Sequence, residues 1–197
     1  KIPRQMLAAA RAAAFGEPYA VDVGLFCQER YFVYVAGFGA FTEVSYLTPQ
    51  DKKNILGHQA YMLESVRSLA SLRSYFMEVE WDGNFLEGEF VFGVVTNTIS
   101  VGGFKGLVGQ DVELNDGYFE VLLIRKPKNP ADISNLVAGL LQKEEKENDQ
   151  VYKFKTRSIR FRSSEPVDWV LDGEFGGTKT EVFVENLNKC LEIKRNK

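Results

Sequence analysis

The sequence predicts a mainly β fold, an antiparallel β-sandwich with two or three α-helices at its margins (α+β by content). Runs rich in β-branched and aromatic residues recur along most of the 197 residues. They are joined mostly by short turns containing Gly, Asp and Asn, and strand and helix do not alternate regularly, as a parallel sheet would require. About ten such runs stand against three helical patterns. That balance favours two packed antiparallel layers.

The elements follow in order. Pro3 suits a first helical turn, residues 7–14 are rich in Ala, and Gly16 with Pro18 stops the run, so residues 1–16 are expected to form an entry helix. Its large side chains are few, and such a helix must lie against something else. Tyr19–Cys27 and Arg30–Ala36 read as a hairpin turning at Gln28 and Glu29, after which Gly37-Phe38-Gly39-Ala40 is expected to break the strand. Residues 51–72 carry the clearest helical pattern: Asp51 caps it, and Ile55, Gln59, Met62, Leu63, Val66, Leu69 and Ala70 fall at three- and four-residue spacing. Tyr75–Trp81 alternates, Asp82-Gly83-Asn84 makes a hairpin turn, and Phe85–Thr96 returns as a long strand with Gly88 as an interruption.

Residues 97–110 form a glycine-rich loop that leads into the strand Tyr118–Arg125. Pro127 and Pro130 bracket the start of another helix, with Ile133, Leu136, Val137, Leu140 and Leu141 on its apolar face and a charged end at residues 143–149. Lys153, Lys155 and Arg157, followed after a slip at Ser158 by Arg160 and Arg162, give a basic strand. Such a stripe can face phosphates, or it can guard a sheet edge against unwanted pairing. Val167–Leu171, Thr180–Asn186 and Cys190–Lys194 close the series.

Composition narrows the function. With 45% hydrophobic residues the chain can bury one core, and a net charge of −3 does not suit non-specific nucleic-acid binding. Its two cysteines and one histidine, His58, form no metal-ligand cluster. No apolar run is long enough to span a membrane, and a soluble cytoplasmic chain is expected. GxGxxG opening a helix and GxxxxGK[ST] are both absent, which excludes a dinucleotide fingerprint and a P-loop.

Two acidic turns are the candidates for chemistry: Glu113-Leu114-Asn115-Asp116-Gly117-Tyr118 and Leu171-Asp172-Gly173-Glu174. Asp-Gly is first a turn device. Each stretch carries a second carboxylate, Glu113 or Glu174, that a turn does not need, so the pair could supply a cation ligand and a base.

The order Val35-Ala36-Gly37-Phe38-Gly39, Leu56-Gly57 to Ala60-Tyr61, Asn97 with Gly102-Gly103, Leu114-Asn115-Asp116-Gly117 and Leu171-Asp172-Gly173-Glu174 resembles the C-terminal half of bacterial diacylglycerol-kinase and sphingosine-kinase-like lipid kinases. Lys1-Ile2-Pro3-Arg4 resembles the stretch that follows that family's nucleotide-binding domain. The resemblance implies a β-sandwich at 17–197, lying after an N-terminal ATP-binding domain. It implies Glu174 as proton acceptor, with Asp172 as the alternative. It also implies a Mg²⁺ ion held by Asp116 and the main-chain oxygens of Glu113 and Tyr118. The acceptor would be a hydroxyl-bearing lipid such as diacylglycerol, with peripheral membrane contact. A homodimer stays open, and no nucleic-acid partner is expected. The family's Gly-Gly-Asp-Gly-Thr phosphate motif is absent from these residues, so the chain alone is expected to be inactive. The competing expectation is a non-enzymatic β-sandwich that binds a lipid or a partner protein, with both acidic turns merely structural.

Overall fold

A computed structural model describes residues 5–39, 73–98, 100–101, 104–105, 112–141 and 149–195. The expected helix at 51–72, with His58, lies outside these residues, as do most of the glycine-rich loop and the charged run after 141. Helix α1 (Met6–Phe15) leads into β1 (Glu17–Phe26), β2 (Arg30–Phe32) and β3 (Val35–Gly39). Next come β4 (Tyr75–Trp81), β5 (Asn84–Thr96), a small hairpin of β6 (Ser100–Val101) and β7 (Phe104–Lys105), and β8 (Phe119–Arg125). Helix α2 (Pro130–Leu141) precedes β9 (Val151–Thr156), β10 (Ser158–Leu171) and β11 (Glu174–Arg195).

Nine of the described strands form one antiparallel sheet in the order β2-β1-β11-β10-β3-β5-β8-β9, with β4 also between β10 and β5. The registers place β3 and β4 end to end in one slot. Phe38 sits between Trp169 and Gly93, and Met77 between Ser163 and Gly88. The insertion 40–74 therefore interrupts what is geometrically a single line of strand. The sheet rolls over, because rings from its two ends meet. Phe32 on β2 lies 5.5 Å from Phe119 on β8, and Trp81 on β4 stacks 4.1 Å from Phe154 on β9. One core fills the fold, with Trp169 contacting Phe26, Phe38 and Phe161 at centroid distances of 5.5, 5.1 and 5.2 Å. This is the mainly antiparallel two-layer arrangement that the strand pattern predicts.

Several boundaries differ from expectation. Gly37 and Gly39 do not break the strand but lie within β3, whose five residues are all buried. The break comes earlier, at Val33-Tyr34, where a distant carboxylate captures the backbone N–H groups. Gly88 stays paired with Met77 and does not interrupt β5. The stretch from 151 to 162 is two strands with a break at Arg157, and the last two expected strands are parts of β11. The basic residues are also largely matched by carboxylates. Arg160 and Arg162 share Glu181, Arg162 meets Glu80, and Lys155 meets Asp116 and Glu120. The exposed pairs among these, Arg160 and Arg162 with Glu181 and Glu80, contribute little stability. They do leave less positive charge for a phosphate.

Candidate functional site

The second acidic stretch is a two-residue hairpin. Leu171 pairs with Glu174, and Asp172 and Gly173 have φ of 51° and 92°. Both central residues are left-handed, the form that matches strand twist and that Asp-Gly adopts readily. Asp172 does more than turn the chain. Its carboxylate accepts the backbone N–H groups of Val33, Tyr34 and Val35, each at 2.8 Å, and its own N–H donates to the Val35 carbonyl at 2.8 Å. That capture ends β2 and starts β3. Across the hairpin, Arg30 Nη1 donates to the Phe175 carbonyl at 2.7 Å. Glu174 begins β11 with its side chain exposed.

The first acidic stretch is held from the other side of the rolled sheet. Asp22, fully buried on β1, accepts the Gly117 N–H at 2.7 Å and the Lys189 N–H at 2.7 Å. It also accepts the side-chain amides of Asn188 at 2.9 Å and Asn186 at 3.3 Å. Its backbone N–H donates to the Leu114 carbonyl at 2.7 Å. Asn97 then ties this turn to the hairpin. Its side-chain amide donates to the Asp22 and Leu114 carbonyls at 3.3 and 3.2 Å, and its backbone N–H donates to the Tyr34 carbonyl at 3.3 Å. Thr96 Oγ1 donates to that same carbonyl at 2.7 Å. Because Tyr34 N–H is held by Asp172, one polar chain runs from the 171–174 hairpin to the 113–118 turn.

Asp116 helps to shape its own turn. One of its oxygens accepts the Tyr118 N–H at 3.0 Å, and the other lies 3.3 Å from Lys155 Nζ. The carbonyls of Leu114 and Asn115 are engaged internally, the latter by the Asn188 amide at 3.3 Å. Among the described residues, no cluster of three or more Asp, Glu, His or Cys side chains could hold a metal. Among the described residues, a cation here would find one carboxylate, with Lys155 Nζ already 3.3 Å away, and main-chain oxygens. With lone pairs remaining on Asp116, that oxygen-only donor set suits a hard ion such as Mg²⁺.

Beside this turn Glu120, with 1% of its surface exposed, faces Lys155 Nζ at 3.3 Å. Burial pushes the Glu120 carboxyl up to about 7, against the pull of the Lys155 charge. Burial alone would lower Lys155, but Glu120 and Asp116 outweigh it and hold the ammonium above its ordinary value. The folded chain thus binds the Glu120 proton more tightly than the unfolded chain. The resulting stability is present below the unfolded value near pH ~4.3 and is lost as pH rises toward about 7, by about 3 kcal/mol in all. Glu120→Gln is accordingly expected to raise the melting temperature several degrees at pH 8 and hardly at pH 5. Equal shifts at the two pH values in thermal melts would refute this.

Sequence reasoning selected Asp116, Glu113, Tyr118, Asp172 and Glu174, and hydrogen bonds through Tyr34 and Asn97 link the two turns that carry them. It missed Asp22 and Glu120, and it took Lys155 only as part of the basic stripe. Asp22 was legible in principle, as a lone carboxylate between Val21 and Val23 in an apolar strand.

Residues 35–194 match the model of the YegS C-terminal NAD kinase beta sandwich-like domain. The chain is 35% identical over 193 residues to the diacylglycerol kinase of Bacillus subtilis (strain 168), covering 98% of this chain and 62% of that protein. It is 30% identical over 192 residues to the diacylglycerol kinase of Staphylococcus aureus (strain JH9), covering 98% and 60%. The chain thus spans about three fifths of the length of these relatives. A crystal structure from Bacillus anthracis str. Sterne superposes with a TM-score of 0.76 at 21% identity, covering 99% of this chain and 64% of that one. A diacylglycerol kinase from the same organism gives 0.67 at 17% identity, covering 99% and 60%. At such identities these structures share the fold. The family match extends from the start of β3 almost to the end of β11 and so includes both acidic turns; the chain belongs to the YegS C-terminal NAD kinase beta sandwich-like domain family.

Proposed function

We propose that this chain is the lipid-side domain of an ATP-dependent lipid kinase that transfers the γ-phosphate of ATP to a lipid hydroxyl, with diacylglycerol as the acceptor. The observation that carries the reading is the hairpin at 171–174. Its aspartate is committed to three backbone N–H groups, while the adjoining glutamate is exposed. The names of the relatives, diacylglycerol kinases matched over 98% of this chain, support the choice of diacylglycerol as acceptor.

Glu174 takes the proton of the acceptor hydroxyl as that oxygen forms its bond to the γ-phosphorus and the bond from phosphorus to the β–γ bridging oxygen breaks, releasing ADP. Asp172 fixes the strand end from which Glu174 projects. The ATP phosphates are cradled by an N-terminal domain outside these residues, so the 197-residue chain alone transfers nothing. Asp116 and the main-chain oxygens of Glu113 and Tyr118 would hold Mg²⁺, which supplies a local positive charge that braces the turn. The substrate places the enzyme at the inner face of the cytoplasmic membrane as a peripheral protein. No described helix is long and apolar enough to cross one.

The test is transfer of labelled γ-phosphate to diacylglycerol in mixed micelles, by the intact two-domain protein and by residues 1–197. Product from the first and none from the second is expected, and an intact protein that labels no lipid would overturn the reading. The cation is tested separately. Asp116→Ala is expected to abolish the rise in melting temperature that Mg²⁺ gives the wild type while changing little in chelator; equal shifts in both conditions would exclude the site.

A further inference from the structure

We propose that Tyr31, Val33, Tyr34 and Phe175 form an apolar lip beside Glu174 that enters the surface of an anionic bilayer and brings the base level with the hydroxyl of a diacylglycerol lying in it. The inference rests on the lipid-kinase reading above and adds the surface by which the acceptor is reached.

The four side chains come from two segments that the fold ties together. Arg30 Nη1 donates to the Phe175 carbonyl at 2.7 Å, and the Asp172 carboxylate accepts the N–H groups of Val33 and Tyr34 at 2.8 Å. The stretch from Arg30 to Tyr34 therefore lies along the 171–174 hairpin, and Phe175 directly follows Glu174 on β11, paired with Val170 of β10. Tyr31 is 66% exposed and Phe175 61%, and Val33 and Tyr34 are exposed as well. The core is supplied by their neighbours instead, with Phe32, Val35, Val170 and Leu171 all buried. Single exposed hydrophobic side chains are ordinary on a protein surface, whereas a contiguous group marks a surface that something covers.

What covers it follows from the chemistry of the acceptor. Diacylglycerol has no headgroup, so only the glycerol carbons separate its hydroxyl from the acyl esters, and the hydroxyl lies at the boundary between the polar and apolar zones of a bilayer. A carboxylate that takes this proton must come within about 3 Å of the oxygen. The side chains flanking it then meet the ester and acyl zone, where an unpaired polar group is costly and an apolar or amphipathic one is not. Tyrosine suits that depth, with its ring in the apolar zone and its hydroxyl toward water. Arg30, exposed between the two segments, is a cation suited to the phosphates of neighbouring anionic lipids. A lip of four side chains gives reversible attachment rather than a permanent anchor, as an enzyme that must leave its product requires.

The experiment uses the intact two-domain protein and vesicles of phosphatidylglycerol containing diacylglycerol. Phe175→Trp places a fluorescent reporter on the lip, with the wild type, which carries Trp81 and Trp169, as the background. Its added emission is expected to shift to the blue with vesicles and to be quenched by lipids brominated on their acyl chains. The double substitution Tyr31→Ser with Phe175→Ser is expected to weaken partitioning into the vesicles by about tenfold. The KM for vesicle-borne diacylglycerol should rise by a similar factor, the effect falling on KM rather than on kcat, with the melting temperature unchanged. If the wild type phosphorylates no diacylglycerol, the kinase reading fails and takes this inference with it. If it does, but either the double variant partitions as the wild type or the reporter is not quenched, this inference alone is overturned. A reporter already blue-shifted without vesicles and unquenched with them would overturn it by showing that protein, not lipid, covers the lip.

Discussion

Glu174→Gln in the intact two-domain protein is expected to lower kcat by about 10²-fold or more while leaving the denaturation midpoint unchanged. Gln preserves the volume of the side chain and its capacity for hydrogen bonding, so the substitution isolates proton acceptance. The structure explains why stability should be insensitive. Glu174 is exposed, and its place in the hairpin is set by backbone pairing with Leu171, which a side-chain change does not touch. A turnover within a few-fold of wild type would remove Glu174 from the mechanism. The KM for ATP offers a second reading, since a base that acts on the lipid hydroxyl should change it little.

Asp172→Ala is expected to do the reverse and destabilise the fold by about 3 kcal/mol, read from the denaturant midpoint of the same protein. Three backbone N–H groups lose a charged acceptor, and although each such bond can contribute about 1.5–3 kcal/mol, the turn's exposure to water reduces the sum. Alanine must also adopt the φ of 51° that Asp172 holds, a left-handed conformation that costs an L-residue roughly 1–2 kcal/mol. Asp172→Asn should fall between, since Asn tolerates that φ and retains one acceptor oxygen. Activity should decline with it, because Val33–Val35 lose the anchor that fixes β3 beside the hairpin. A midpoint within about 0.5 kcal/mol of wild type would show that the three bonds are not structurally important. If Asp172→Asn instead abolishes turnover while the midpoint holds and Glu174→Gln remains active, the base is Asp172.

The contrast between the two carboxylates shows how far a sequence can be read. Leu171-Asp172-Gly173-Glu174 announces a turn by itself, because Asp-Gly tolerates left-handed backbone, and only the structure shows that it closes a two-residue hairpin. It does not announce that Asp172 reaches back to residues 33–35, roughly 140 positions earlier. No periodicity encodes such a contact. The break at Val33-Tyr34 was therefore misplaced to Gly37–Gly39, where glycine suggested it but where β10 and β5 in fact sandwich the backbone on both edges. The basic stripe stayed open between facing phosphates and guarding a sheet edge for the same reason. Lys155, Arg160 and Arg162 look like free cations along the chain, and only the neighbouring strands bring Glu120, Glu181 and Glu80 against them.

What the sequence determined on its own was local: the alternation that makes strands, the Asp-Gly steps that reverse them, the helix-forming segments within 1–16 and after Pro127 and Pro130, and the acidic turns with a carboxylate to spare. Those features depend on residues within a few positions of one another, where steric and hydrogen-bonding preferences act directly. The tertiary structure alone decided that the sheet rolls up, that Phe32 meets Phe119 across its seam, and that Asp22 closes that seam around the Asn115–Gly117 turn. It likewise decided that Asp172 is bound to the backbone while Glu174 is exposed. The reason is that a buried carboxylate is tolerable only where donors from distant segments converge on it, and that convergence exists only once the chain has folded.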